Sequence, residues 1–243
     1  MIEHRTLVSL ALGLCLSACA VGAAQAQPAL VPANQDLTGV WWAKSVPGQI
    51  RPTGGAALPY TAAGRKMAAE LQANLKKDPA LDRARHMCLP KGLPRAFATA
   101  YPIQVLSIPD QTTFFFEENR QVHQLRYIPT HHKDDFWDPS YMGDTIAHWE
   151  GDTLVADSRN FNEEIMLDAS GVPHGEKLKV VQKIRKLDGG KQLEVVATVE
   201  DPEVFTKPWS TRFVYERRDD VEVDTSWVCG EPHRDVSQVQ QIP

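Results

Sequence analysis

The sequence predicts a mainly β protein, an antiparallel meander closed into a barrel, with one helix near residues 61–77. Three observations predict this. Alternating or β-branched segments separated by turn residues recur from residue 101 to residue 228. Helical spacing is clear only over 61–77. A sequential meander of about nine or ten strands removes its exposed edges most simply by closing on itself.

Composition bounds the class. The chain has 243 residues, 42% hydrophobic and 23% charged, which suits a globular domain with a real core. A net charge of −5 argues against a nucleic-acid binder, which usually carries a basic patch. The 17 prolines and 15 glycines are dispersed, so no collagen-like or long low-complexity class fits. The N-terminal stretch is the one long apolar run, which excludes a multi-span membrane protein.

Residues 1–26 have the layout of a secretory signal, with Arg5 in a short polar region, an apolar stretch from Leu7 to Leu16, and small residues after it. Two cleavage readings fit. Ala24-Gln25-Ala26 is an A-x-A site that would release a soluble chain from Gln27. Leu16-Ser17-Ala18-Cys19 resembles a bacterial lipobox, in which case the signal is 1–18 and Cys19 is the lipid anchor. Both readings export the chain to the periplasm, and the second anchors it to the outer membrane. Residues 27–35 then form a linker, 36–231 a single barrel domain, and 232–243 a C-terminal tail.

Outside the signal, Cys88 and Cys229 remain. An exported chain with two cysteines can form one disulfide. A Cys88–Cys229 bridge would close a long loop, worth about 4.5–5 kcal/mol in the chain-entropy model before strain is subtracted. Two buried thiols are the alternative.

Along the barrel, Asp36-Leu37-Thr38-Gly39-Val40-Trp41-Trp42 reads as a strand start. Thr61 can cap the helix, Met67, Leu71 and Leu75 recur every four residues, and Asp78-Pro79 ends it. Residues 79–100 read mostly as loop. Strands follow at 101–108, 112–118 and 121–128, then a long loop at 129–143. Segments 144–149 and 153–158 flank Gly151-Asp152, which suits a two-residue hairpin turn. Segments 176–187 and 192–200 form a hairpin around Asp188-Gly189-Gly190-Lys191. There Leu178, Val180 and Ile184 share one face, while Lys177, Lys179, Lys183 and Arg185 share the other. Segments 210–217 and 221–228 supply a last pair.

Several separated motifs carry a resemblance. They run from Tyr141-Met142-Gly143 through Trp149-Glu150-Gly151-Asp152-Thr153-Leu154-Val155-Ala156-Asp157, Asn160-Phe161-Asn162, Leu167-Asp168 and Gly171-Val172-Pro173-His174 to Asp201-Pro202-Glu203-Val204-Phe205-Thr206-Lys207-Pro208-Trp209. Together they resemble a large family of exported bacterial proteins marked by a "WEGDTLVVD" strand-turn-strand. The chain departs from that pattern at Asp144-Thr145, where His-Ser is common, and at Gly175, where Ser is common. The resemblance assigns no residue roles. Gly39-Val40-Trp41 is also similar to the G-x-W opening of lipocalin-like barrels, which bears on fold rather than activity.

Candidate chemistry centres on residues 144–174. With Gly151-Asp152 as the turn, His148 faces Val155 and Ile146 faces Asp157, so His148 and Asp157 become diagonal neighbours on one face. A carboxylate beside an imidazole fixes its tautomer and raises its basicity. Asp168 and His174, six apart across Gly171 and Pro173, form a second acid–base candidate pair. Arg126, Asn162 and Trp149 are candidate substrate contacts, Arg126 as a carboxylate or phosphate clamp. Arg95 is a further clamp candidate. His131, His132 and nearby aspartates carry metal-capable groups, but adjacent histidines on a strand point to opposite faces, and no metal is assigned. Dinucleotide, Walker, G-x-S-x-G and H-E-x-x-H motifs are missing from the sequence. The expectation is a cofactor-independent acid–base enzyme, a lyase, isomerase or hydratase, acting on a small partly apolar substrate. A lipocalin-like carrier without catalysis and an envelope structural protein are the alternatives. The expected partner is a small molecule, with no nucleic acid and with membrane contact only through the lipid anchor. Oligomeric state stays open.

Overall fold

The computed structural model describes residues 31–128, 132, 138–226 and 234–242. Nine strands close a barrel: β1 (Gly39–Trp42), β3 (Ile103–Ile108), β4 (Gln111–Phe116), β5 (Gln121–Arg126), β6 (Asp144–Glu150), β7 (Thr153–Arg159), β8 (Lys179–Leu187), β9 (Gln192–Glu200) and β10 (Trp209–Arg217). Their order around the wall follows the chain, with β1 closing between β3 and β10. A short β2 (Ser45–Pro47) pairs in parallel with β11 (Gln240–Ile242) outside the barrel. The predicted fold class is therefore the observed one, with two corrections. Residues 221–226 form no strand. The β5–β6 contact is parallel and consists of one pair, Arg126 with Ile146. It is parallel because the long connection after β5 carries the chain back to the end from which β5 started.

That crossing sorts the connections. Short turns at 109–110, 151–152 and 188–191 lie at one end of the barrel. The long segments 43–102, 160–178 and 201–208 lie at the other end and cap it. The helix α1 (Ala62–Lys77) belongs to this cap. Thr61 accepts from the Gly64 amide, as a side-chain cap should. Its buried face is Gly64 and Ala68 rather than Met67, which is exposed. Gly64 is required there by close approach, because a Cβ would lie 2.1 Å from the Val204 carbonyl oxygen. The loop expected at 79–100 contains the short helix α2 (Arg83–His86) and two 3₁₀ turns.

Alternation of side chains fills the barrel. Phe114, Phe116, Leu125, Leu154, Val180, Ile184, Val195, Phe213 and Tyr215 all point inward and are buried. Phe97 enters from the cap, packs edge-on against Phe114 and Phe116, and accepts a hydrogen bond from the Tyr215 hydroxyl through its carbonyl at 2.5 Å. The interior is thus a packed core along these strands.

Candidate functional site

The hairpin register is the predicted one: Glu150 faces Thr153, His148 faces Val155 and Ile146 faces Asp157. Parity then puts Thr145, Ala147, Leu154, Ala156 and Ser158 inside and His148 and Asp157 outside. The two share a face, but it is the outer surface of the barrel. His148 pairs with Glu150 at 3.3 Å with its side chain 65% exposed. Asp157 is instead held by Arg159 at 2.9 Å, by Lys179 at 3.5 Å and by His132 at 3.5 Å. Burial opposes ionisation of Asp157, yet its hydrogen bond and charge interaction with Arg159, and the charges of Lys179 and His132, hold the carboxyl below its usual range. The imidazole beside this carboxylate is therefore that of His132, whose other nitrogen lies 3.0 Å from Asp144. His131 and residues 133–135 lie outside the described residues.

Asp168 and His174 both sit in the cap, at the end opposite the turn that follows His148. They do not pair. Asp168 is buried and accepts from the Ile50 amide at 3.0 Å, from Arg51 at 3.3 Å, and from the Ser170 amide and hydroxyl at 2.8 and 2.6 Å. A carboxylate so fully occupied ties its own loop to the 50–51 segment and has no lone pair spare for proton transfer. His174 donates from Nδ1 to the Gly175 carbonyl at 2.8 Å, and the Gly175 amide bonds Asp201. The four acid–base candidates thus occupy three separate places. The predicted substrate contacts also disperse. Arg126 is neutralised by Asp144 at 2.5 Å, Asn162 accepts the Glu164 amide in a local turn, and Trp149 faces into the barrel beside Tyr127. Cys88 is half-buried and is not a free thiol, whereas Cys229 and Cys19 lie outside the described residues.

The structure assembles a different site. A cleft of about 730 Å³ opens in the cap between the segment after β1, the 84–101 segment, the β4–β5 turn and the Asp168 loop. Val46, Pro47, Ile50, Ala98 and Ala100 give it an apolar wall. Its charged groups are three cations, Arg85, Lys91 and Arg95, against two carboxylates, Glu118 and Asp168. Arg95 makes a buried two-pronged ion pair with Asp82 at 2.9 and 2.7 Å, and Lys91 is tied to Glu118 at 2.6 Å. Arg85 is exposed and makes no side-chain ion pair among the described residues. Tyr101 lines the cleft, and burial, reinforced by Glu118 and Glu117, pushes its phenol up, so it stays a neutral hydrogen-bonding group. Just behind Asp168, Tyr60 is pushed up to about 12 by burial and by that carboxylate.

No family model matches the chain, and no characterised protein matches it. The roles of these residues rest on geometry alone. Of the cleft, sequence reasoning had singled out Asp168 and Arg95. Arg85 comes from a segment read mostly as loop, and Tyr101 from the start of a segment read as strand, where the strand in fact begins at Ile103.

Proposed function

We propose that the protein is an exported binder of small, partly apolar molecules bearing one acidic group, with the cap cleft as its site. The observation that carries the reading is the cleft's charge arrangement. Lys91 and Arg95 are committed to carboxylates, whereas Arg85 stands uncompensated over an apolar wall. An apolar body with a single anionic head satisfies both features. The carrier reading is favoured over acid–base catalysis because His148, Asp157, Asp168 and His174 do not converge and none of them pairs with another. Export rests on the N-terminal signal, and the family resemblance agrees with it. A Cys88–Cys229 disulfide would lock the cleft wall at Cys88 to the C-terminal region, and the lipid anchor at Cys19 would hold the barrel at the membrane.

The test is isothermal titration with short aliphatic and aromatic carboxylates and their uncharged amides. Carboxylates should bind, amides should bind about tenfold more weakly, and Arg85→Ala should cost carboxylates a similar factor, the loss of one charge-assisted hydrogen bond. Equal binding of acids and amides, or indifference to Arg85→Ala, would overturn the proposal. Turnover of a carboxylate substrate would restore the enzyme reading.

A further inference from the structure

Between β5 and β6 the barrel wall is held by the single pair Arg126–Ile146. Below that pair the strands splay, and a recess of about 490 Å³ enters the wall, lined by His123, Gln124 and Arg126 on one side and by Tyr141, Asp144 and Thr145 on the other. His123 and Thr145 point inward on their strands and are 1% and 3% exposed. They are also the two ends of one buried hydrogen-bond chain. His123 Nε2 bonds Gln182 Oε1 at 2.8 Å, Gln182 Nε2 donates to Ser158 Oγ at 2.9 Å, and Ser158 Oγ lies 2.7 Å from Thr145 Oγ1.

Donor bookkeeping gives the chain a direction. Gln182 Oε1 only accepts, so His123 donates from Nε2 and keeps a lone pair on Nδ1. Ser158 accepts from Gln182, and a single proton lies between Ser158 Oγ and Thr145 Oγ1, so one of the two hydroxyl protons is left over. Of the two hydroxyls only Thr145 lines the recess, and with Ser158 donating to it the Thr145 proton is free to turn outward. Burial lowers the His123 pKa to about 4, against a weaker opposing effect from Gln182, so the ring is neutral near pH 7. His123 Nδ1 makes no hydrogen bond among the described residues. Core histidines are ordinarily satisfied at both nitrogens. Here the acceptor left open belongs to a residue that lines a recess, and so does the spare donor.

We infer that this recess is a second binding site, for a neutral molecule presenting an adjacent N–H and C=O, such as a lactam or carboxamide edge. The N–H would donate to His123 Nδ1 and the carbonyl would accept from Thr145. Ionised ligands are disfavoured. A carboxylate would meet the Nδ1 lone pair, and the Arg126 charge is already taken up by Asp144. The site is independent of the cap cleft, since the two share no lining residue.

The experiment is a titration of the whole exported chain with 2-pyrrolidone, followed by NMR of the His123 ring and the Thr145 methyl group. Saturable shifts of both are expected. N-methylpyrrolidone, which lacks the donor, and acetate should bind at least about tenfold more weakly. Thr145→Val, which keeps the shape and removes the hydroxyl, should cost 2-pyrrolidone about tenfold. Arg85→Ala should leave this titration unchanged, which separates it from the carboxylate test. Absence of saturable shifts, equal binding of N-methylpyrrolidone, or indifference to Thr145→Val would overturn the inference and leave the recess to water alone.

Discussion

His123 and His148 stand on neighbouring strands of the same wall and have opposite surroundings. His123 faces in, 1% exposed, bonded to Gln182, and discharged by burial. His148 faces out, its side chain 65% exposed, beside Glu150. The contrast extends to whole faces. Inside β5–β8 four neutral polar groups are joined into one chain, His123–Gln182–Ser158–Thr145. Outside, on β6–β8 and the segment leading to them, Asp144, Asp157, Arg159, Lys179 and His132 form a charged mesh in reach of water. A strand offers each residue one of two environments, and parity alone decides which. In the dry one, a polar group is costly unless partnered, and its removal is felt by every neighbour. In the wet one, the same group is worth little.

The comparison is broken most directly at Gln182, the middle of the inner chain. Gln182→Ala strands the His123 Nε2–H and one Ser158 lone pair in an apolar core, while the Ser158–Thr145 bond remains. Each stranded group costs about 1–3 kcal/mol, so the variant should lose roughly 3 kcal/mol in urea unfolding. A loss under about 1 kcal/mol would mean that the chain is hydrated and the inner face is not dry.

How far the inner and outer faces were legible beforehand depends on the signal each leaves. The alternation of 121–128 and the Gly151-Asp152 turn fixed strand, register and parity, and Thr61 fixed the helix start. Parity does not say which face is the inner one when both carry polar residues. On β6 and β7, Thr145 and Ser158 went inward while His148 and Asp157 went outward. The more strongly polar pair, His148 and Asp157, is the solvated one. His123 was recoverable, since it shares its face with Leu125. The partner that gives it meaning, Gln182, lies across the barrel on β8, a juxtaposition made by closure rather than by local sequence. The cap cleft was the least legible region, because turns without a period set its side-chain directions.

Titration sharpens the comparison next. His123 has a folded-state pKa of about 4 and an ordinary unfolded value near 6.5. Its folded pKa is depressed, so the neutral ring contributes stability that is fully present above about pH 6.5 and is lost as the pH falls toward 4. The span of the shift corresponds to something on the order of 3 kcal/mol. Urea midpoints collected from pH 7 to pH 4 should therefore fall, and His123→Gln should flatten that fall even if its stability at pH 7 is lower. An unchanged slope in the variant would assign the acid sensitivity to other groups and remove the evidence that burial governs this ring.

The smallest effect is expected at His148, and its smallness carries the argument. The ring lies 3.3 Å from a Glu150 that is itself 57% exposed, so whatever attraction exists is screened by water and salt. Removing it opens no cavity and strands no buried group. His148→Ala should shift stability by no more than about 0.5 kcal/mol, and the acid-side slope set by His123 should persist. Carboxylate binding at the cap should also be unchanged, because His148 lies toward the short-turn end of the barrel and the cleft lies at the other. A large loss of stability would show that the outer face is packed against something in solution. A loss of ligand binding with stability intact would return His148 to the functional site that the sequence first suggested.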